Sequence, residues 1–279
     1  MTVPRTRHAV QALLAAHGLG PRRMRGQNFL VDGNMIDAIV RDAGVEQRHA
    51  VLEIGTGTGI LTDSLADRAG ALVSCDIDTR LQELTRGLRT WPESVQFIGE
   101  DILRGKHALN QTILDAWRSS GLTLKLVSNL PFNIATPVLA NLLWSGLPIE
   151  EITVLVQREA AERFTARSGT SAYGPMAVAI GLLATEARIV RDVPPQVFWP
   201  QPRVESALLR IVPGDPARAL SLREAGLPDL LQRAFLHRRK MLRKTVGAAV
   251  LEAAGIRPDA RPEDVVPEAW LGLLTVPPV

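Results

Sequence analysis

The sequence has little cysteine and no long hydrophobic run. Its 279 residues contain one cysteine, Cys75, so an internal disulfide is excluded. No stretch of eighteen apolar residues occurs, which predicts no membrane span. The basic start of the chain has no apolar core followed by a cleavage site, so a secretory signal is not expected either. We therefore expect a cytoplasmic protein without a membrane partner.

Motifs for metals and nucleoside phosphates are also missing. The five histidines show no spacing typical of metal ligands, so no metal site is predicted. The sequence contains no Gly-Lys-Ser or Gly-Lys-Thr, which excludes a P-loop. A composition of 46% hydrophobic and 22% charged residues is that of an ordinary globular protein.

The formal charge of +3 is unevenly distributed. Residues 1–31 contain five arginines and no acid, and residues 231–245 contain six basic residues and no acid. These segments hold eleven of the 32 basic residues, which leaves 21 basic against 29 acidic residues elsewhere, a charge of −8. Two basic segments on an acidic body indicate a polyanionic partner.

Short apolar runs alternate with helical segments from residue 50 onward. Strands are predicted at 50–54, 71–77, 95–99, 124–128 and 152–157, followed by an apolar helix at 175–185 and a closing pair of strands at 188–193 and 206–212. This alternation predicts a mainly parallel sheet with helices on both faces. The cluster of Pro, Gly and Asp at 213–218 predicts a boundary between a domain of residues 1–213, with a basic arm at 1–31, and a helical domain of residues 214–279.

A glycine loop, Glu53-Ile-Gly55-Thr-Gly57-Thr-Gly59, follows the first of these strands and opens a helix. Glycines there let the backbone pass close to a ligand. Ile60 stands where the dinucleotide fingerprint needs its third glycine, so that fingerprint is not met. Asp76 ends the next strand, where a carboxylate can accept ribose hydroxyls, and Asp101 ends the third, where one can accept an adenine amine. An adenosine ligand without phosphates, S-adenosylmethionine, matches these three acids.

A second motif, Asn129-Leu130-Pro131-Phe132, follows the fourth strand at the sheet edge where α/β proteins bind ligands. An adenine amine is a poor nucleophile because its lone pair is delocalised into the ring. The amide oxygen of Asn129 and the carbonyl of Leu130 or Pro131 can accept its two N–H groups and favour a tetrahedral nitrogen. Phe132 can stack on a flipped-out base. These four residues are predicted to be catalytic through positioning and dipole stabilisation, without a general base.

In combination, these motifs resemble those of the ribosomal RNA adenine N6,N6-dimethyltransferase family. The resemblance extends to Gly26-Gln27-Asn28-Phe29-Leu30, Gly99-Glu100-Asp101, the proline-rich segment 193–206 and His237-Arg-Arg-Lys240, and so covers nearly the whole chain. It implies a class I S-adenosylmethionine-dependent methyltransferase, with a Rossmann-like, seven-stranded, mostly parallel sheet and a small helical C-terminal domain. It also implies a reaction at N6 of two adjacent adenines of 16S ribosomal RNA, in the small subunit or its precursor, by a monomer.

The resemblance and the glycine loop together predict the cofactor site. Its residues are Gln27, Asn28, Leu30, Glu53, Gly55, Gly57, Gly59, Asp76, Ile77, Asp101, Ile102 and Asn129. Phe132 stands where the family commonly has tyrosine, which removes a hydroxyl. Asp76 stands where glutamate is common, which shortens the reach to the ribose.

Two groups of basic residues are predicted to contact RNA. They are Arg22, Arg23 and Arg25 directly before the cofactor segment, and Arg238, Arg239, Lys240, Arg243 and Lys244 on a helix predicted over 233–244. Helical spacing would give the second group one broad basic face for phosphates.

Two other functions are compatible with the sequence. One is methylation of 23S ribosomal RNA, as in the related antibiotic-resistance methyltransferases, although the segment 193–206 and the basic C-terminal segment favour the small subunit. The other is a ribosome-assembly or transcription factor that keeps the fold and does not need catalysis, which the loss of a hydroxyl at Phe132 leaves open.

Overall fold

A computed structural model describes residues 3–22, 26–106 and 108–274. The strands are β1 (Phe29–Leu30), β2 (His49–Ile54), β3 (Ala71–Cys75), β4 (Val95–Ile98), β5 (Thr123–Asn129), β6 (Ile149–Gln157), β7 (Ala184–Val193), β8 (Phe198–Trp199) and β9 (Ser206–Pro213). The helices are α1 (Arg7–Ala16), α2 (Gly33–Asp42), α3 (Ile60–Ala66), α4 (Thr79–Gly87), α5 (Gln111–Arg118), α6 (Ala135–Leu143), α7 (Arg158–Phe164), α8 (Pro175–Leu183), α9 (Pro216–Glu224), α10 (Leu227–Leu236), α11 (Arg243–Val246), α12 (Ala248–Ala253) and α13 (Ala269–Gly272). None of the helices within these ranges is long and apolar enough to span a membrane.

Seven strands form one sheet in the order β4-β3-β2-β5-β6-β9-β7. The first five are parallel, whereas β9 pairs antiparallel with both β6 and β7. The predicted seven-stranded, mainly parallel sheet and its closing pair are therefore confirmed. From β2 the chain proceeds outward through β3 and β4, and it then returns to β5 on the other side of β2. The carboxyl ends of β2 and β5 thus flank the crevice where sheets of this kind bind ligands.

Helices cover both faces of the sheet, which explains the continuous apolar runs of its central strands. Every residue of β2 is buried. On one face, the fully buried Trp117 of α5 donates its indole N–H to the carbonyl of Ala50 at 2.8 Å. Helix α8 is apolar nearly all round because it packs against the sheet on one side and against α10 on another.

The C-terminal helices share a hydrophobic core with the sheet. Leu231, Leu251 and Trp270 belong to the same buried cluster as Val178 of α8. The hydroxyl of Tyr173 donates to the carbonyl of Val265 at 3.0 Å, which ties the two parts of the chain together. Helix α9 begins at Pro216, inside the predicted boundary segment. The division into residues 1–213 and 214–279 stays a prediction.

The prediction of one helix over residues 233–244 is wrong. Helix α10 ends at Leu236 and α11 begins at Arg243, and the residues between them form a turn. The turn allows Leu242 to be fully buried and its amide to donate to the carbonyl of Ala260 at 2.7 Å. A continuous helix would also hold its many cations at mutually repulsive spacings without an acid between them. We call residues 237–244, which comprise this turn and the first two residues of α11, the basic turn.

A two-stranded sheet was not predicted. Strands β1 and β8 pair antiparallel and join residues 26–30 to the proline-rich segment 193–206. The rings of Phe29 and Trp199 stack with their centroids 6.3 Å apart. Strands of two residues carry no readable periodicity, so only the folded chain reveals this pairing.

The tight turn before β3 provides a test of the fold. A Cβ added at Gly70 would lie 1.9 Å from the carbonyl oxygen of Gln47, so Gly70→Ala must displace backbone. We expect it to lower the free energy of unfolding by about 2 to 3 kcal/mol in urea titrations. Gly87→Ala is the matched control, because a Cβ there meets open space at the end of α4. Equal stability of the two variants would contradict this packing.

Candidate active site

A cleft opens at the carboxyl ends of β2 and β5, between the glycine loop, the 129–132 loop and residues 26–30. Twelve predicted cofactor or catalytic residues line it: Gln27, Asn28, Leu30, Glu53, Gly55, Gly57, Asp76, Ile77, Asn129, Leu130, Pro131 and Phe132. The fold therefore brings together segments that are far apart in sequence, such as residues 26–30 and the 129–132 loop. Their individual roles toward a ligand stay predictions.

Three predicted residues lie outside this lining. Gly59 precedes α3 in the left-handed region, with φ +79°, and Ile102 is 2% exposed in the core. Asp101 faces a neighbouring depression, where its carboxylate accepts the amide of Leu103 at 2.9 Å. The predicted contacts of these residues with the cofactor gain no support from their placement.

The glycine loop is held by Asp76. Its Oδ2 accepts the amide of Gly57 at 3.0 Å, and its Oδ1 accepts the amide of Asp78 at 2.8 Å. The amide of Gly55 donates to the carbonyl of Cys75 at 2.7 Å, so the loop is attached to the end of β3 twice. Gly55 and Gly57 have φ values of +90° and +54°, which other residues rarely adopt. Asp76 thus shapes the loop as well as facing the cleft.

Glu53 lies beneath the loop and is fully buried. Its Oε2 accepts the hydroxyls of Thr62 at 2.6 Å and Ser74 at 2.7 Å. Burial, with a smaller contribution from the charge of Asp76, raises the pKa of Glu53 to about 8, although the two hydroxyls oppose the shift. Glu53 is therefore mainly a neutral carboxylic acid at pH 7.

The 129–132 loop is joined to the glycine loop through the two strand ends. The hydroxyl of Ser128 donates to the carbonyl of Ile54 at 2.6 Å. The Asn129 amide nitrogen donates to the carbonyl of Asn28 at 3.1 Å, and its Oδ1 accepts no hydrogen bond from the residues that the structure describes. The carbonyl of Pro131 already accepts the amide of Ile134 at 3.0 Å. Between the two predicted backbone acceptors, the geometry favours Leu130.

Arg22 is the only residue of its predicted RNA-binding group that can be placed, because Arg23 and Arg25 lie outside the described residues. Its amide donates to the Gln27 side chain at 2.8 Å. Its guanidinium lies 3.7 Å from a carboxylate oxygen of Asp78. Arg22 therefore stands beside the cleft already paired with an acid.

Several lining residues were not predicted: Gly26, Phe29, Thr56, Thr58, Ile60 and Leu61. Phe29 packs under the glycine loop, where a Cβ on Gly57 would come within 3.3 Å of its ring. The Thr58 hydroxyl is buried and has no hydrogen-bond partner among the described residues. The sequence contained a signal for all six, because Gly26 and Phe29 lie in the quoted segment 26–30 and the other four lie in or directly after the glycine loop.

The chemistry of this lining fits S-adenosylmethionine. No lysine, arginine or histidine occurs among the described lining residues, so the cleft does not suit phosphates. The carboxylate of Asp76 is compatible with a cationic ligand. Ile77, which is 53% exposed, offers an apolar surface at the rim.

A larger depression continues from Asn133, the residue after Phe132. It lies between α6, α8 and α10, and Tyr173, Phe235 and Leu236 form part of its apolar lining. Its cationic lining residues are Lys106, Arg163, Arg223 and Arg238. An apolar floor with cations around it is suited to a nucleic-acid strand.

The basic turn presents most of its predicted cations to solvent. Arg239, Lys240, Arg243 and Lys244 are exposed and form no ion pair within the described part of the chain. Arg238 differs, because its guanidinium lies 2.7 Å from the Glu263 carboxylate and donates to the carbonyl of Ser171 at 2.8 Å. The contacts of Arg238 are structural, whereas the other four are available to phosphates.

Comparisons with known proteins agree with this geometry. The chain matches the family described as ribosomal RNA adenine dimethylase over residues 20–274. It is 34% identical over 274 residues to the Ribosomal RNA small subunit methyltransferase A of Shouchella clausii, covering 94% of this chain and 91% of the relative.

Two solved structures share the fold. A dimethyladenosine transferase from Plasmodium falciparum superposes with a TM-score of 0.68 at 21% identity, covering 86% of this chain and 94% of that one. The 23S rRNA methyltransferase ErmE superposes with a TM-score of 0.60 at 27% identity, covering 88% of this chain and 98% of that one. The predicted class I methyltransferase fold is confirmed.

The neutral state of Glu53 makes stability depend on pH. Between the unfolded pKa of 4.5 and the native value of about 8, the folded chain holds a proton that the unfolded chain has released. Stability from this group therefore falls as pH rises through that window. In wild type we expect the free energy of unfolding to fall by on the order of 3 kcal/mol between pH 6 and pH 9 because of this group. Glu53→Gln keeps a neutral acceptor and should not show this decrease.

Denaturant titrations of both proteins at the two pH values measure this difference. The exposed Glu83→Gln is the control and should leave the pH dependence unchanged. Identical pH dependence in wild type and Glu53→Gln would show that Glu53 is ionised in the native protein.

Proposed function

The chain belongs to the ribosomal RNA adenine dimethylase family, and from this premise we propose that it methylates N6 of two adjacent adenines in 16S ribosomal RNA. The methyl donor is S-adenosylmethionine, and the product is N6,N6-dimethyladenine in the maturing small subunit. The observation that carries the proposal is the meeting of the glycine loop and the 129–132 loop in one cleft.

The residues of the cleft are proposed to bind and orient the cofactor. S-adenosylmethionine supplies a methyl group that is already activated by its sulfonium. The glycine loop, fixed by Asp76, would bring backbone close to the cofactor, and Ile77 would offer an apolar side chain to its adenosine. The absence of a cation from the described lining avoids repulsion of the positive sulfonium.

The target adenine is oriented by the 129–132 loop. The Asn129 Oδ1 and the Leu130 carbonyl accept the two N–H groups of the amine, which turns its lone pair toward the methyl group. The half-buried Phe132 stacks on the base, an interaction worth about 1 to 3 kcal/mol. The proton leaves to water after transfer, so positioning and dipoles provide the catalytic effect.

Ribosomal RNA is the substrate that the family implies, and two surfaces support its binding. The depression that begins at Asn133 has Lys106, Arg163 and Arg223 in its lining, and of these Arg163 is paired with Glu159. The basic turn adds four exposed cations beyond α10. We infer that the strand on either side of the target adenine follows these cations.

Assignment to the small subunit rests on the named relative at 34% identity over nearly its whole length. The likeness to ErmE keeps the large subunit as the second candidate. Mass spectrometry of ribosomal RNA from cells with and without the protein decides between them. Loss of dimethyladenine from 16S RNA is expected. Loss from 23S RNA alone would replace the proposed substrate, and no loss from either would contradict the activity.

Asn129→Ala tests the catalytic loop. We expect the rate of methyl transfer to undermethylated small subunits to fall at least about 100-fold, because the main acceptor for the amine is removed. RNA affinity should be unchanged. Cofactor affinity should fall modestly, because this variant loses the hydrogen bond that Asn129 donates to the carbonyl of Asn28 in the cleft lining. The exposed Asn34→Ala is the control. More than a tenth of wild-type activity in Asn129→Ala would exclude this role.

The same variant separates catalysis from an assembly role. Asn129→Ala should fail to restore 16S methylation in cells that lack the protein. Full rescue of growth and subunit maturation by this variant would favour a ribosome-assembly factor.

Neutralising the basic turn tests its binding to RNA. Arg239→Ala with Lys240→Ala should reduce the slope of log affinity against log salt by about 0.7 to 0.9 for each phosphate that the variant no longer neutralises. Arg41→Ala with Arg86→Ala, two exposed cations on α2 and α4, should leave the slope unchanged. Filter binding to a small-subunit RNA fragment between low and high salt gives both slopes. Equal slopes for the two double variants would exclude the basic turn.

A further inference from the structure

Thr85 of α4 lies beneath the glycine loop and is completely buried, with 0% of its surface exposed. Its hydroxyl donates to the carbonyl oxygen of Gly57 at 3.0 Å, across 28 residues of sequence. Thr85 itself is not part of the cleft lining. We propose that Thr85 is a positioning residue that fixes the glycine loop for the cofactor. The proposal rests on the proposed function only for the identity of that cofactor.

Gly57 is held from both sides. Its amide donates to the Asp76 carboxylate at 3.0 Å, while its carbonyl accepts the Thr85 hydroxyl. These two bonds fix the peptide groups before and after the Gly57 Cα in an unusual left-handed conformation, with φ +54°. Asp76 follows β3 and Thr85 lies on α4, so the loop is held by two separate elements. Removal of either bond frees one of the two peptides that flank Gly57, a residue of the cleft lining.

The methyl group of Thr85 explains Gly59. A Cβ added at Gly59 would lie 2.4 Å from the Thr85 Cγ2, which no side chain can tolerate. The next nearest atoms of Thr85 would be 3.4 and 3.5 Å away, so the methyl group alone causes the clash. The space beside the Gly59 Cα is therefore occupied by the methyl group of Thr85 and is not open to a ligand. Thr85 thus makes two contacts with the loop: its hydroxyl donates a hydrogen bond to Gly57, and its methyl group packs beside Gly59.

Helix α4 is itself firmly placed. The Trp91 indole N–H donates to the carbonyl of Thr85 at 3.2 Å. The Gln82 side chain donates to the carbonyls of Ser74 at 3.1 Å and Ile98 at 2.8 Å, which ties α4 to the ends of β3 and β4. Thr85 therefore transmits the position of the sheet to the glycine loop.

The experiment measures cofactor binding without RNA. Calorimetric titration with S-adenosylhomocysteine should show that Thr85→Val, which is nearly isosteric and lacks the hydroxyl, raises Kd about 3- to 10-fold, the effect of one hydrogen bond. Thr85→Ser keeps the hydroxyl and should bind within about twofold of wild type. In the methyl-transfer assay, KM for S-adenosylmethionine should rise in Thr85→Val while kcat changes less than about twofold.

Thr153→Val is the matched control. Thr153 is a buried threonine whose hydroxyl donates to Glu151 at 2.8 Å on β6, away from the glycine loop. The Thr153→Val variant should lower the melting temperature as Thr85→Val does and leave the Kd for S-adenosylhomocysteine unchanged. Wild-type affinity in Thr85→Val, or equal weakening in Thr85→Val and Thr153→Val, would overturn the proposal. Failure of the wild type to bind S-adenosylhomocysteine would overturn the proposed function as well.

A second pair of variants does not depend on the folding of Thr85→Val. Gly59→Ala introduces the clash and should weaken binding more than about tenfold. Adding Thr85→Ser removes the Cγ2 atom and should restore part of that affinity, leaving only the strain of a left-handed alanine. No recovery in the double variant would overturn the assigned contact.

Discussion

The hydrogen bond between the Ser128 hydroxyl and the carbonyl of Ile54 connects the ends of two adjacent parallel strands. Gly55, the first glycine of the glycine loop, directly follows Ile54, and the 129–132 loop starts one residue after Ser128. Both loops therefore depend on the register of β2 against β5, and β2 is buried along its whole length. Because a buried parallel pair cannot slip without exposing apolar residues, the two loops proposed to hold methyl donor and acceptor keep a fixed separation.

Charge is distributed so that the two oppositely charged ligands of the proposed function would not compete. The cleft has an acid at its wall and a neutral Glu53 below, while no cation occurs in its described lining. The exposed cations of the basic turn lie beyond α10, on the part of the chain that also borders the depression. In the proposed function, an RNA phosphate would thus be attracted to one region and the sulfonium to another. Because burial raises the pKa of Glu53, Asp76 supplies the negative charge among the acids of the described cleft lining.

Local pattern predicted the elements whose environment is uniform along the chain. The apolar run at 50–54 became β2, and the pair at 188–193 and 206–212 became β7 and β9, because burial on both faces or alternate burial leaves a direct signature. The apolar helix predicted at 175–185 ends at Leu183, since β7 begins at Ala184 without an intervening loop. Periodicity cannot separate two apolar elements that follow each other directly.

Features that depend on distant residues were not predictable in this way. The end of α10 at Leu236 depends on a bond between Leu242 and Ala260, and the structural role of Arg238 depends on Glu263. Gly59 is a further example. Its place in the glycine motif suggested a contact with a ligand, whereas only the fold reveals that the methyl group of Thr85 lies beside it. Within the site, sequence predicted which loops meet, whereas the division between lining and supporting residues needed the packed structure.

The single cysteine has a practical consequence for spectroscopic work on this protein. Cys75 ends β3 beneath the glycine loop, and its burial raises the pKa of the thiol well above the ordinary range. Since the thiolate is the reactive form, the native thiol is protected from alkylating probes twice, by access and by protonation. A cysteine placed on the basic turn would therefore carry a fluorophore or spin label alone, without removal of any native residue. The protein is already suited to distance measurements between the basic turn, its proposed RNA-binding surface, and a labelled ribosomal RNA.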